Sequence, residues 1–164
     1  MTNEYRDNLV AGSEYQDFVQ KELLKHGIIV MLNTSKQYQA RIGESLSGLE
    51  IKLDRKFRQT GNLYIEVAEK SDALNPVYVE SGIYRFDNTW LYCIGDYHEI
   101  FLIPKMQLQI IHQDIKNGTY EGYRREGIEL RQTRTSQGMI IPIDYAMKYI
   151  VIKHIVFDER EAGA

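Results

Sequence analysis

Charges at every second position of two short apolar runs constrain this chain more than any other feature. In GLEIKLD, Glu50, Lys52 and Asp54 alternate with Leu49, Ile51 and Leu53, and in NLYIEVAEK, Glu66 and Lys70 alternate with Ile65 and Val67. Successive side chains on a strand point to opposite faces, so each run presents one apolar face and one ionisable face. Gln59, Thr60, Gly61 and Asn62 between them are turn-type residues, which predicts an antiparallel hairpin with the two charged rows side by side. A turn centred near Thr60 sets Lys52 across from Ala68 and Asp54 across from Glu66. One centred nearer Phe57 or Arg58 sets Glu50 opposite Glu66, and the sequence leaves both registers open. Opposite charges facing each other across a hairpin are an ordinary stabilising device, so the rest of the chain decides whether they do more.

Around this pair, Tyr15, Phe18, Val19 and Leu23 recur at helical spacing. They predict a helix over 14–25, with Ser13 as N-cap and Gly27 beyond its end. Ile28 to Leu32 reads as a first strand, 33–47 as a polar connection, and Val77 to Arg85 as a strand end or short helix. Thr89 to Ile94 and Glu99 to Ile103 form a second predicted hairpin around Gly95 and Asp96, followed by a helix from Lys105 to His112. Residues 114–138 are polar and dotted with glycine. Met139 to Ile143 reads as a short strand, Asp144 to His154 as a helix, and 158–164 as a flexible tail. One α helix, several strands and then mixed elements predict an α/β or α+β domain over 1–157, built around a mixed sheet.

Composition narrows the function classes. The chain has 164 residues, enough for one core, and its 20 basic and 23 acidic residues give a net charge of -3. No global field therefore recruits nucleic acid, and contact with it must come from a local basic surface or from metal ions bridging to phosphate. The single Cys93, inside the apolar run WLYCI, excludes an intramolecular disulfide and suits a buried thiol in a cytoplasmic protein. No apolar stretch reaches the roughly 18 residues of a membrane helix, and the first residues lack a signal-peptide core. His26, His98, His112 and His154 have no metal-ligand spacing, Ser81 lacks a nucleophile-elbow setting, and no phosphate-binding glycine loop is present.

Carboxylates drawn together from several elements repel one another unless a cation neutralises them. Mg²⁺ suits such a place, because it takes oxygen ligands and keeps positions for water or phosphate. The helix ending in glycine (GSEYQDFVQKELLKHG), the acidic strand after a glycine (GLEIKLD), the acid late in NLYIEV and the run NTWLYCIGDYHEIFLIPKMQL resemble the PD-(D/E)xK nuclease superfamily over roughly residues 12–110. The strings GLEIK, TGNLYIE, SGIYR and TSQG are also similar to a group of phage and bacterial proteins. The resemblance implies a restriction-endonuclease-like core, a mixed central sheet flanked by helices. It implies an endodeoxyribonuclease, a hydrolase of DNA phosphodiester bonds that uses Mg²⁺ or Mn²⁺, and a homodimer in which each active site cuts one strand.

Carried over residue by residue, the resemblance makes Glu50, Asp54 and Glu66 the metal ligands and Lys52 or Lys70 the catalytic lysine. Ala68 occupies the place of the motif lysine after Glu66. The acid that the family often adds from its first helix falls at Gln16, which has a carbonyl oxygen but no charge, and Ser13-x-x-Gln16 is also a capping-box spacing. Arg55, Lys56 and Arg58 at the hairpin tip, and Arg124 and Arg125 among Lys116, Arg131, Arg134, Tyr120 and Tyr123, are the candidate DNA contacts. Glu121, Glu126 and Glu129 dilute that second cluster. Against the enzyme stand two other readings: a nuclease-fold binding module that has lost catalysis, and a protein-interaction factor that borrows the fold.

Overall fold

A computed structural model describes residues 3–33, 35–119 and 121–157. The predicted tail at 158–164 and Tyr120 lie outside the described residues. The protein is α/β, with two four-stranded sheets, and its contacts divide it into two compact units.

The first unit comprises residues 1–55, 87–102 and 152–164. Helix α1 (Asn3–Lys25) begins well before Ser13, so Ser13 lies inside the helix and caps nothing. Its stripe Tyr15, Val19 and Leu23 is fully buried and packs with Leu49, Ile51, Leu91, Cys93, Ile100, Leu102 and Ile155. These strand residues are the alternate, apolar positions of β1 (Leu49–Leu53), β4 (Leu91–Gly95), β5 (Glu99–Pro104) and β8 (Lys153–Val156). The sheet runs in the order β1-β4-β5-β8, with β1 parallel to β4 and β5 antiparallel to β8. The predicted strand at 28–32 reduces to a single bridge between Leu32 and Ser45, and the polar stretch after it contains a short helix, α2 (Lys36–Arg41). Burial pushes the Cys93 thiol far above its ordinary range, in keeping with an inert core residue.

The second unit comprises residues 56–86 and 103–151. Its sheet is antiparallel throughout, in the order β3-β2-β7-β6, from β2 (Asn62–Glu69), β3 (Val79–Glu80), β6 (Glu129–Gln132) and β7 (Ser136–Pro142). Helices α3 (Phe57–Thr60), α4 (Lys105–Asn117), α5 (Gly122–Arg125) and α6 (Ile143–Tyr149) complete it, with a 3-10 turn at Gly82–Tyr84. Alternate residues Leu63, Ile65, Met139 and Ile141 are buried, as are Leu108, Ile111 and Ile115 on α4.

The predicted hairpin between GLEIKLD and NLYIEVAEK does not form. β1 pairs with β4, while β2 pairs with β3 and β7. Residues 57–60 coil into α3 and Gly61 ends it in a left-handed conformation (φ 69°), so the turn-type residues cap a helix instead of reversing a strand. Lys52 accordingly lies across from Ile94, Glu66 from Gly138, and Ala68 from Gln137 and Glu80. The polar stretch at 114–138 holds the end of α4, α5, β6 and the start of β7, and the predicted helix at 144–154 divides into α6 and β8.

One polar pair in the second unit, with His112 buried and Tyr84 half-buried, gives a pH dependence. The Tyr84 hydroxyl accepts from Gln113 Nε2 at 2.9 Å and shares a hydrogen bond of 2.7 Å with His112 Nδ1. Burial, and then Lys116, hold the His112 pKa below its ordinary value. A histidine that binds its proton less readily folded than unfolded leaves stability intact above about pH 6.5 and removes it as the pH falls below that. The urea midpoint is expected to decline from pH 7 to pH 5, and His112→Asn to flatten that decline.

Candidate functional site

β1 is an outer strand, and its unpaired side is closed by the chain just before it. The Leu49 amide donates to Ser45 Oγ at 2.8 Å, and Ser45 Oγ in turn donates to the Leu49 carbonyl at 2.8 Å. The Ile51 amide donates to Glu44 Oε2 at 3.2 Å. Glu44 thereby blocks the edge against another strand and is held with its carboxylate beside the charged face of β1.

Four polar side chains meet there. Gln16 Nε2, from α1, donates to Glu44 Oε2 at 3.0 Å. Lys52 Nζ lies 2.7 Å from Glu50 Oε1 and 3.5 Å from Glu44 Oε1. Glu50 is wholly buried, Glu44 nearly so, and the Lys52 side chain is 40% exposed. Two carboxylates, one ammonium and one amide thus meet within hydrogen-bonding distance of one another. Gln16, Glu50 and Lys52 are among the residues singled out in the sequence, and Gln16 reaches across to Glu44 instead of closing a capping box. Glu44 is the residue that sequence reasoning missed, because an acid in the polar stretch RIGESLSG has no periodicity to mark it.

Asp54 follows directly at the end of β1, where its amide donates to the Gly95 carbonyl at 2.8 Å. Tyr15 lies below these strand ends and donates from its hydroxyl to the Asp96 carbonyl at 3.3 Å. Burial, and then Cys93, Asp96, Tyr97 and Asp54, push its phenol far above the ordinary range, so it stays protonated. Trp90 precedes β4, more than half exposed, with its indole nitrogen donating to the Ser47 carbonyl at 2.9 Å. Its ring lies over Gly48, where a Cβ would stand 2.5 Å from Trp90 Cδ1.

Glu66 belongs to the second unit, in a neutral setting. Ser81 Oγ donates to its Oε1 at 2.8 Å and Ser136 Oγ to its Oε2 at 3.1 Å, while the Tyr64 hydroxyl lies 2.7 Å from Ser136 Oγ. The pairing of β2 with β7 shifts register by a bulge between Glu66 and Ala68. The extra residue turns Ala68 inward, so Val67 and Ala68 are buried in succession and position 68 holds a small apolar side chain. Lys70 is occupied elsewhere: its Nζ donates to the Ala73 carbonyl at 3.2 Å and lies 4.7 Å from the Tyr78 ring centre.

The basic candidates lie on the surface. Arg55, Lys56, Arg58, Arg124 and Arg125 are all exposed. Arg58 lies over the ring of the buried Phe57 at 5.8 Å, and Arg125 stands 3.9 Å from the exposed Glu121. Among the described residues no three His, Cys, Asp or Glu side chains gather as a metal cluster, and no helix is long and apolar enough to cross a membrane. No family model, curated protein or solved structure matches the chain.

Proposed function

We propose that the chain is a metal-dependent endodeoxyribonuclease whose acid-x-lysine element is Glu50-Ile51-Lys52. The observation that carries this reading is the convergence of Gln16, Glu44, Glu50 and Lys52 from a helix, a loop and an edge strand. Its donors toward a cation are oxygens, two carboxylates and an amide carbonyl, which is the chemistry Mg²⁺ or Mn²⁺ selects. Glu44, Glu50 and Gln16 would hold the ion, and when bound it supplies Lewis-acid polarisation of a phosphate and a water of lowered pKa.

The chain's own residues supply the rest. Lys52 places a positive charge beside the carboxylates, where it can offset the charge that grows on phosphate oxygens as the phosphodiester is attacked. Glu44 holds Gln16 and Lys52 in position while closing the strand edge. Trp90 offers an aromatic face to an unpaired base, and Arg55, on the same unit, is an exposed cation for phosphate. Asp54 enters through the family resemblance, at the end of the same strand; Asp54→Asn is expected to lower cleavage, and undiminished cleavage would remove it from the site.

Incubation of the chain with supercoiled plasmid and with single-stranded and branched oligonucleotides tests the reading. Cleavage is expected with Mg²⁺ or Mn²⁺ and is expected to stop on chelation; no cleavage of any substrate with either ion would overturn it. One observation favours a second reading, a DNA-binding module without catalysis: Lys52 already neutralises much of the Glu44 and Glu50 charge, and Gln16 stands where an acid would. That module would give no heat on titration with either ion yet bind DNA with an affinity that falls steeply with salt.

A further inference from the structure

Strand β6 (Glu129–Gln132) is an outer strand of the second sheet, and all four of its residues are exposed. It pairs with β7 from Glu129↔Ile140 to Gln132↔Gln137, and the ladder continues into the connecting turn, where the Thr133 amide donates to the Ser136 carbonyl at 2.7 Å. Hydrogen-bonded pairs alternate along an antiparallel ladder. Residues 129 and 131, in phase with 133, therefore turn their amides and carbonyls toward β7, and Leu130 and Gln132 turn theirs outward. On β1 the corresponding outward groups are taken by Ser45 and Glu44. Along β6 no described residue takes them. A row of open backbone donors and acceptors is a template for another strand.

We propose that β6 pairs antiparallel with β6 of a second copy of this chain, about a two-fold axis through Leu130. Outward groups must face outward groups, which leaves three two-fold registers. Leu130 opposite the partner's Gln132 sets Arg131 against the partner's Arg131, and Gln132 opposite the partner's Gln132 sets Leu130 against the partner's Arg134. Leu130 opposite the partner's Leu130 sets Glu129 against the partner's Arg131 twice over. Only this register makes the strand complementary to itself in charge. Glu129 and Arg131 become non-hydrogen-bonded cross-strand neighbours, the closer kind, and neither makes an ion pair among the described residues. On the opposite face the two Leu130 side chains, 48% exposed in the single chain, cover each other. They do so at the mouth of a groove of about 410 Å³ lined by Ile115, Arg124, Ile128, Glu129 and Leu130. The two second-unit sheets become one sheet of eight strands, and so short a seam gives a weak dimer, with a dissociation constant of order micromolar.

Sedimentation of the full chain over a range from about 1 to about 200 µM, spanning that constant, is expected to show reversible dimerisation. Glu129→Arg and Arg131→Glu alone are each expected to weaken it at least tenfold with the urea midpoint little changed. Mixed together, these two variants are expected to dimerise with each other, since each then meets opposite charges across the seam. Leu130→Cys is expected to form a disulfide-linked dimer on oxidation, because hydrogen-bonded partners stand about 5.5 Å apart at Cα and the buried Cys93 does not compete. A chain that stays monomeric throughout, or a dimer indifferent to both charge reversals, overturns the proposal.

Discussion

Glu50→Gln is expected to lower Mg²⁺-dependent DNA cleavage by about 10³-fold, roughly 4 kcal/mol of transition-state stabilisation, while the chain remains folded. The substitution keeps the volume and shape of a side chain with no exposure, so core packing is preserved. It removes the anionic oxygen 2.7 Å from Lys52, and with it the charge a divalent ion would need. Lys52→Met separates a site from a buried ion pair that only holds the strand. It takes the ammonium from a buried carboxylate, the costlier half of such a pair to lose. A purely structural role would therefore make Lys52→Met the more damaging variant in urea denaturation and leave both without effect on a cleavage rate measured below the unfolding transition. Equal loss of cleavage in both variants, at concentrations where both are folded, is the outcome the nuclease reading requires. Undiminished cleavage by Glu50→Gln sinks it.

Alternation of charge and apolar residue correctly marks 49–53 and 62–69 as strands, because a period of two is written residue by residue. Their partners are another matter. Whether two neighbouring strands pair depends on the link between them, and RKFRQTG carries signals both for a turn and for a helical stop. Phe57 settles the competition: it is buried in α3, and a one-turn helix with Gly61 at its end satisfies the backbone where a hairpin turn would leave Phe57 in water. The second hairpin, around Gly95 and Asp96, is legible because Asp96 caps its own turn, accepting from the amides of His98 and Glu99. β6 is invisible to the same reasoning. ELRQ is exposed on every side, so no apolar alternation marks it, and only its ladder with β7 reveals it.

The site is half legible for a related reason. Glu50 and Lys52 announce themselves by spacing, and Gln16 by its distance from the glycine that ends the helix. Glu44 acts through a contact between its carboxylate and the backbone of an edge strand, which no spacing encodes. Ser81 and Ser136 bind Glu66 from 15 and 70 residues away along the chain. The bulge that turns Ala68 inward is likewise a property of the β2 and β7 pair, which no spacing along one strand encodes.

The largest stability effect is expected at Gly82. It has φ 53°, and a Cβ built there would stand 2.2 Å from the Glu66 carbonyl oxygen and 2.8 Å from the Glu66 carbonyl carbon. Both are backbone atoms of the bulged strand and cannot swing aside as the end of a long side chain would. Alanine thus meets two penalties, the left-handed conformation at about 1–2 kcal/mol and a collision that only a backbone shift relieves. That shift would draw Ser81 from β2, straining the bond from its amide to the Val67 carbonyl at 3.1 Å and from its hydroxyl to Glu66 at 2.8 Å, and would disturb the fully buried Ile83. Gly82→Ala is expected to cost about 3 kcal/mol or more in urea denaturation. Gly61→Ala isolates the first penalty, since Gly61 has φ 69° and nothing within 4 Å of its built Cβ. Its expected cost is about 1 kcal/mol. Equal losses in the two variants would mean that the collision contributes nothing and that the segment at 81–84 does not rest on the Glu66 backbone.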